Sequence, residues 1–145
     1  EISLGLDLKG GMNVILEVSV PDVIRALADN KPDENFNKAL NEAAKHYIGS
    51  HDFTSFCTLD QRKMGDMVRT VTEAKVERAG DMVLFTVSAD GFLYNMVRIM
   101  VGTLLRVAQG KFQPEDIPHI LEAKNRKMAG PTAPPCGLYL NRVFY

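Results

Sequence analysis

The chain has 145 residues, 46% hydrophobic and 24% charged, with a formal net charge of −1. These values fit one globular domain with its own core. No run of about 18 apolar residues occurs, which excludes a membrane-spanning helix, and residues 1–20 lack the basic start and apolar core of a secretory signal. The charge is uneven: residues 1–40 carry four basic against seven acidic side chains, and the remainder has a small positive excess. Such an excess permits nucleic-acid binding without arguing for it. Cys57 and Cys136 stand far apart and in no CxxC frame, as expected of two reduced thiols in a cytosolic protein.

In chain order, ISLGLDL (2–8) alternates apolar with small or polar residues, KGG (9–11) signals a turn, and MNVILEVSV (12–20) is rich in β-branched residues. Together they predict a β-hairpin. Pro21 suits the first turn of a short helix over 22–28, and DNKPDEN (29–35) is a polar break and the best linker candidate. Ala43, Ala44, Tyr47 and Ile48 mark a helix stopped by Gly49, and HDFTSFC (51–57) reads as a loop carrying Phe53 and Phe56 into the core. Residues 68–78 and 82–89 predict a second hairpin around AGD. Residues 115–124 predict a helix, 125–135 a proline-rich loop and 136–145 a final strand. Antiparallel strands with helices on one face make an α+β layer.

The dominant stretch is GFLYNMVRIMVGTLLRVAQG (91–110). Leu93, Met96, Val97, Met100, Val101, Leu104, Leu105 and Ala108 recur at the spacing of one helix face, and Gly110 suits its C-terminal stop. Arg98 breaks the pattern at the border of the apolar arc, among Tyr94, Asn95 and Gly102. It either snorkels to water or neutralises an anion brought to it. Gly102 costs about 1 kcal/mol of helix propensity relative to Ala, which points to a packing demand. Asp90 reads as a turn or N-cap residue, or as a catalytic acid. His46, His51 and His119 share no metal-ligand frame, so no metal site is expected. Gly10-Gly11 lacks a phosphate-loop frame, and no nucleophile elbow occurs.

Two resemblances add to this. LGLDLKGGMNVILEVSVPDVIRAL, in residues 1–40, resembles the SecD family of protein-translocation subunits, where the segment is extracytoplasmic and carries no chemistry. From about residue 41 to 145 three motifs in order, HDFTSFC, GFLYNMVRIMVGTLLRVAQGK and AGPTAPPCGLYL, are similar to the C-terminal half of the tRNA pseudouridine synthase A family. That resemblance implies a pseudouridine-synthase-like half domain. It also implies uridine-to-pseudouridine isomerisation in the anticodon arm of tRNA, no cofactor or metal, a homodimer and a cytoplasmic location. Arg98 matches the family arginine that pairs with the catalytic aspartate, and a guanidinium beside a carboxylate keeps it ionised and oriented. Leu138 matches the apolar residue packed beside the target uracil. Phe92, Tyr94 and Asn95 fall in the same helix-entry motif as pocket-shaping residues for a base drawn from its stack. Lys63, Arg69, Lys124, Arg126 and Lys127 are candidates for phosphate contact.

One departure matters. The family's nucleophilic aspartate sits in an arginine-threonine-aspartate-alanine-glycine motif, and these residues do not contain it: Arg69-Thr70 is followed by Val71. The chain therefore reads as a chimaera, a SecD-like segment (1–40) joined near Leu40–Asn41 to a synthase-like C-terminal domain (41–145), inactive alone. The alternatives are a non-catalytic RNA-binding module or a fragment of a SecD-type subunit.

Overall fold

The computed structural model describes residues 7–19, 34–58, 66–79, 82–133 and 138–143. In chain order these form β1 (Asp7–Ser19), α1 (Glu34–Lys45), β2 (Gly49–Asp52), a 3-10 turn (Thr54–Phe56), β3 (Val68–Ala79) and β4 (Met82–Gly91). Then follow α2 (Met96–Ala108), α3 (Asp116–Ala123), a second 3-10 turn (Arg126–Met128) and β5 (Leu138–Val143). The strands make one sheet in the order β2-β3-β4-β1-β5, with every pairing antiparallel.

β3 and β4 form the expected hairpin, with Val76 opposite Phe85 and Ala79 opposite Met82. Val71, Ala74 and Val76 of β3 and Phe85, Val87 and Ala89 of β4 are buried, while Glu73, Lys75 and Glu77 are exposed. This two-residue alternation places one sheet face against the helices. Tyr47, just past α1, meets Phe85 edge-on at 6.4 Å and Phe56 at 5.3 Å. The architecture is the α+β layer that the pattern of elements predicts.

Two expectations change, and one lies outside the described residues. The turn expected at 9–11 is replaced by strand: Lys9, Gly10 and Gly11 lie inside β1, where the register slips between Asp7 and Met12, while residues 2–6 of the expected hairpin lie outside the described residues. Two glycines accommodate an irregular strand as readily as a turn, and distant partners, β4 on one side and β5 on the other, take up the backbone bonding of β1. The helix expected at 22–28 lies outside the described residues. α1 begins at Glu34 and passes through Leu40–Asn41 without a break. It is held by burial of Leu40, Ala43 and Ala44. The Asn41 carboxamide also donates to Val76 O (2.9 Å) and accepts from Val76 N–H (2.8 Å). Asn41 thus supplies, at that point of β3, the bonds a further strand would make.

α2 starts at Met96, not at 91, because Gly91 is still in β4 and residues 92–95 make the turn between them. Met96, Val97, Ile99, Met100, Val101, Gly102, Thr103, Leu104 and Val107 are all buried. That exceeds the single face seen in the spacing, because α1 and the proline loop enclose the helix as well as the sheet. Gly110 ends the helix at φ 78°. Its N–H donates to Val107 O and that of Lys111 to Arg106 O, both at 3.0 Å, the paired bonds of a Schellman C-cap.

Candidate active-site wall around Arg98

The HDFTSFC motif is a joint rather than a reactive loop. Asp52 Oδ1 accepts from the N–H and the hydroxyl of Thr54 and so sets the turn. Phe53 and Phe56 are fully buried, with ring centres 6.1 Å apart. Ser55 Oγ donates to Ile120 O (2.7 Å) and accepts from Asn125 N–H (2.8 Å), which ties the turn to the end of α3. Cys57 is buried, and burial raises its thiol pKa. Thr58 then closes onto the α2 entry, its N–H donating to Tyr94 O at 3.1 Å.

Arg98 lies on the first turn of α2 and is half-buried. Its Nε donates to Ala133 O at 2.7 Å and its Nη1 to Asn95 Oδ1 at 3.2 Å. The backbone repeats the link, since Ala133 N–H donates to Arg98 O at 3.0 Å. Nη2 makes no hydrogen bond among the described residues. The side chain is thus laid against the proline loop instead of snorkelling away from it. Asn95 caps α2 in the left-handed conformation, φ 61° and ψ 11°, which Asn tolerates better than other non-glycine residues.

Gly102 owes its place to this loop. A Cβ there would lie 1.6 Å from Pro131 O, and one at Gly130 would lie 2.7 Å from Gly102 O and 2.8 Å from Thr103 Cα. Backbone thus packs directly on backbone, as only glycine permits on both sides. The contact is fixed by Thr103, whose hydroxyl donates to Ile99 O (2.8 Å) and accepts from Gly130 N–H (2.9 Å). Arg126 clasps the loop from outside, with Nη1 on Gly130 O at 2.8 Å and Nη2 on Thr132 Oγ1 at 3.2 Å.

The other residues singled out in the sequence are distributed unevenly. Phe92 is fully buried, its ring part of the core beneath the helix entry. Tyr94 is exposed beside Asn95. Leu138 opens β5 opposite Leu16, five residues after the Arg98 anchor, and its side chain lies outside the described residues, as do Lys63 and Cys136. Arg126 faces its own loop, and burial lowers its pKa. Arg69 is half-buried and turns back on its own segment, Nη1 donating to Asp66 O (2.7 Å) and Val68 O (2.8 Å). Lys124 and Lys127 remain exposed. Asp90 Oδ1 accepts from Thr70 N–H across the hairpin at 2.9 Å, a cross-strand clasp rather than a helix cap. Among the described residues no group of three or more His, Cys, Asp or Glu side chains is placed to hold a metal. No described helix is long and apolar enough to cross a membrane. Thr58, Thr103 and Ala133 were not singled out in the sequence. Ala133 acts through its backbone and leaves no side-chain signature, whereas Gly102 was the readable sign of close packing, and its partner Gly130 emerges only from the fold.

Residues 43–145 match the tRNA pseudouridine synthase family. The chain is 52% identical over 108 residues to a tRNA pseudouridine synthase A of an Exiguobacterium species, covering 74% of this chain and 44% of that protein. It is 53% identical over 107 residues to the enzyme so named from Geobacillus kaustophilus, covering 74% and 41% respectively. A third match, to the tRNA pseudouridine synthase A of Bacillus licheniformis, is 48% identical and covers 86% of this chain and 51% of that protein. That third match extends N-terminal of residue 41. The chain spans roughly two fifths to one half of these relatives. With Arg98 anchored between the helix-entry motif and the proline loop, and with these matches over that same region, the chain belongs to the tRNA pseudouridine synthase family.

Proposed function

We propose that residues 41–145 form the arginine-bearing wall of a tRNA uridine isomerase whose carboxylate comes from sequence outside these 145 residues. The observation that supports this is the anchoring of Arg98: Nε and Nη1 are held by Ala133 O and Asn95 Oδ1, while Nη2 has no hydrogen-bond partner among the described residues. A guanidinium fixed at two nitrogens presents the third in a set direction, the arrangement that keeps an approaching carboxylate ionised and oriented. The isomerisation breaks the bond from C1′ to N1 of uracil and joins C1′ to C5. The hydrogen on C5 leaves to water and N1 gains a proton, so no oxidant, reductant or metal is consumed. Arg98 does not itself take part in that bond exchange; it holds the group that does. In this reading Tyr94 and Leu138 are the residues expected beside the extruded base. A cytoplasmic location and the homodimer of the family follow from the same reading, and the dimer would appear in sedimentation velocity as twice the monomer mass.

Exposed Lys124 and Lys127 supply phosphate contacts in this account. The test is tRNA retention by the 145-residue chain in a gel shift at rising salt. Two phosphate contacts predict a log–log salt slope of about −2, reduced by about 1 in Lys124→Ala or Lys127→Ala. No retention at low salt refutes the tRNA reading. Retention with slopes unchanged in both variants moves the phosphate contacts elsewhere.

A further inference from the structure

The geometry points to Asn95 as a positioning residue for Arg98, and to Thr58 as the group that orients Asn95. Asn95 Nδ2 donates to Thr58 Oγ1 at 3.1 Å, and Asn95 Oδ1 accepts from Arg98 Nη1 at 3.2 Å. The amide can serve this pair in one orientation. Arginine has donors only, so the oxygen must face Arg98, and the nitrogen is left for a hydroxyl able to accept. The backbone reinforces the arrangement. Thr58 N–H donates to Tyr94 O at 3.1 Å, and Asn95 O accepts from Ile99 N–H at 3.0 Å. The residue at 95 must also adopt φ 61°. Glycine meets that backbone demand without supplying an amide, and other non-glycine residues meet it poorly. Asn meets both demands.

The consequence is a short relay from the end of the HDFTSFC motif to the guanidinium. The motif's own aromatic rings are buried and touch no substrate; its product is the placement of Thr58. Asn95 then acts through Arg98 rather than on the base. This gives it a different task from the pocket-shaping role expected from the sequence. The Arg98 plane is set by Ala133 O on one edge and by Asn95 on the other, and this orients the third nitrogen. The importance of the relay rests on the reading of Arg98 given above, but its existence does not.

The test is nitrogen-detected NMR of the Arg98 side chain in the full 145-residue chain, with no RNA present. In the native chain, rotation about the Arg98 Cζ–Nη bonds should be slow and the Nη signals resolved. Asn95→Gly keeps the left-handed turn and removes the amide; rotation should accelerate by roughly tenfold, the loss of one hydrogen bond to a charged donor, while the Nε signal held by Ala133 stays in place. Thr58→Val, which removes the hydroxyl at constant shape, should show an intermediate acceleration, and Thr58→Ser should restore native behaviour. A purely structural role for Asn95 would move the Nε signal along with the Nη signals. Unchanged Nη rotation in Asn95→Gly overturns the proposal. If Asn95→Gly does not fold, unchanged rotation in Thr58→Val does the same. Because the readout uses no tRNA, a failed relay and a failed tRNA gel shift are separate outcomes.

Discussion

Replacing Gly102 by Ala sets two physical effects against each other with opposite signs. Helix propensity alone favours Ala in the interior of α2 by about 1 kcal/mol. The added Cβ, however, would stand 1.6 Å from Pro131 O. The loop carbonyl must retreat by about 1.4 Å to reach even 3.0 Å, the closest approach that real Cβ atoms show. The obstacle is backbone on both sides, so no rotamer change relieves it. Retreat of the loop lengthens the bonds from Gly130 N–H to Thr103 Oγ1 (2.9 Å), from Ala133 N–H to Arg98 O (3.0 Å) and from Arg98 Nε to Ala133 O (2.7 Å). At about 1 kcal/mol for each neutral bond and about 2 kcal/mol for the charged one, the loss outweighs the propensity gain. Gly102→Ala should therefore destabilise the chain by about 3 kcal/mol. Urea denaturation followed by circular dichroism measures this. A variant as stable as the native chain, or more stable, would show that the loop does not rest on the helix and that Arg98 is not anchored there.

Further expectations follow from the same contacts. Thr103→Val removes the acceptor of a buried N–H at constant shape and should cost about 1–3 kcal/mol in the same urea assay, with Thr103→Ser recovering most of it. Burial raises the Tyr47 phenol, which donates to Met100 O at 2.9 Å, well above its ordinary value of 10.0. A folded pKa above the unfolded one gives stability that is complete below about pH 10 and lost above it, as the unfolded phenol ionises first. Tyr47→Phe should thus remove up to about 1.4 kcal/mol per pH unit of alkaline stability loss above that pH, read from urea midpoints between pH 9 and 11. Asn41→Ala exposes the Val76 backbone groups that its amide satisfies. It should lower stability by about 1–2 kcal/mol and promote edge-to-edge association visible in sedimentation velocity.

The hairpin of β3 and β4, the helix carrying Arg98, its glycine stop and the α+β layer were legible because period-two and period-3.6 patterns depend on local spacing. β1 was not. Its Lys9-Gly10-Gly11 turn signal is local, while its pairing with β4 and β5 spans much of the chain. The N-terminal reach of α1 was hidden by the polar composition of DNKPDEN, in which the helix begins at Glu34. At the site, Arg98 and Gly102 stood out because each violates its surroundings: a charge on an apolar border and a helix breaker in mid-helix. The grip of Arg126 was hidden for the opposite reason. A basic residue in a polar loop looks like a solvent-facing charge, and only the fold shows that it grips Gly130 and Thr132. The burial of Phe92 was hidden because the helix-entry motif mixes buried and exposed positions.

In the proposed reading Arg98 serves a catalytic carboxylate supplied from outside these 145 residues. It is tested by tritium release to water from tRNA labelled at C5 of uridine, by the chain alone and by the chain mixed with the portion of the Geobacillus kaustophilus relative that this chain does not match. The account predicts background release from the chain alone, release above background from the mixture, and loss of that release in Arg98→Met. Release by the chain alone, or release from the mixture that survives Arg98→Met, would contradict it.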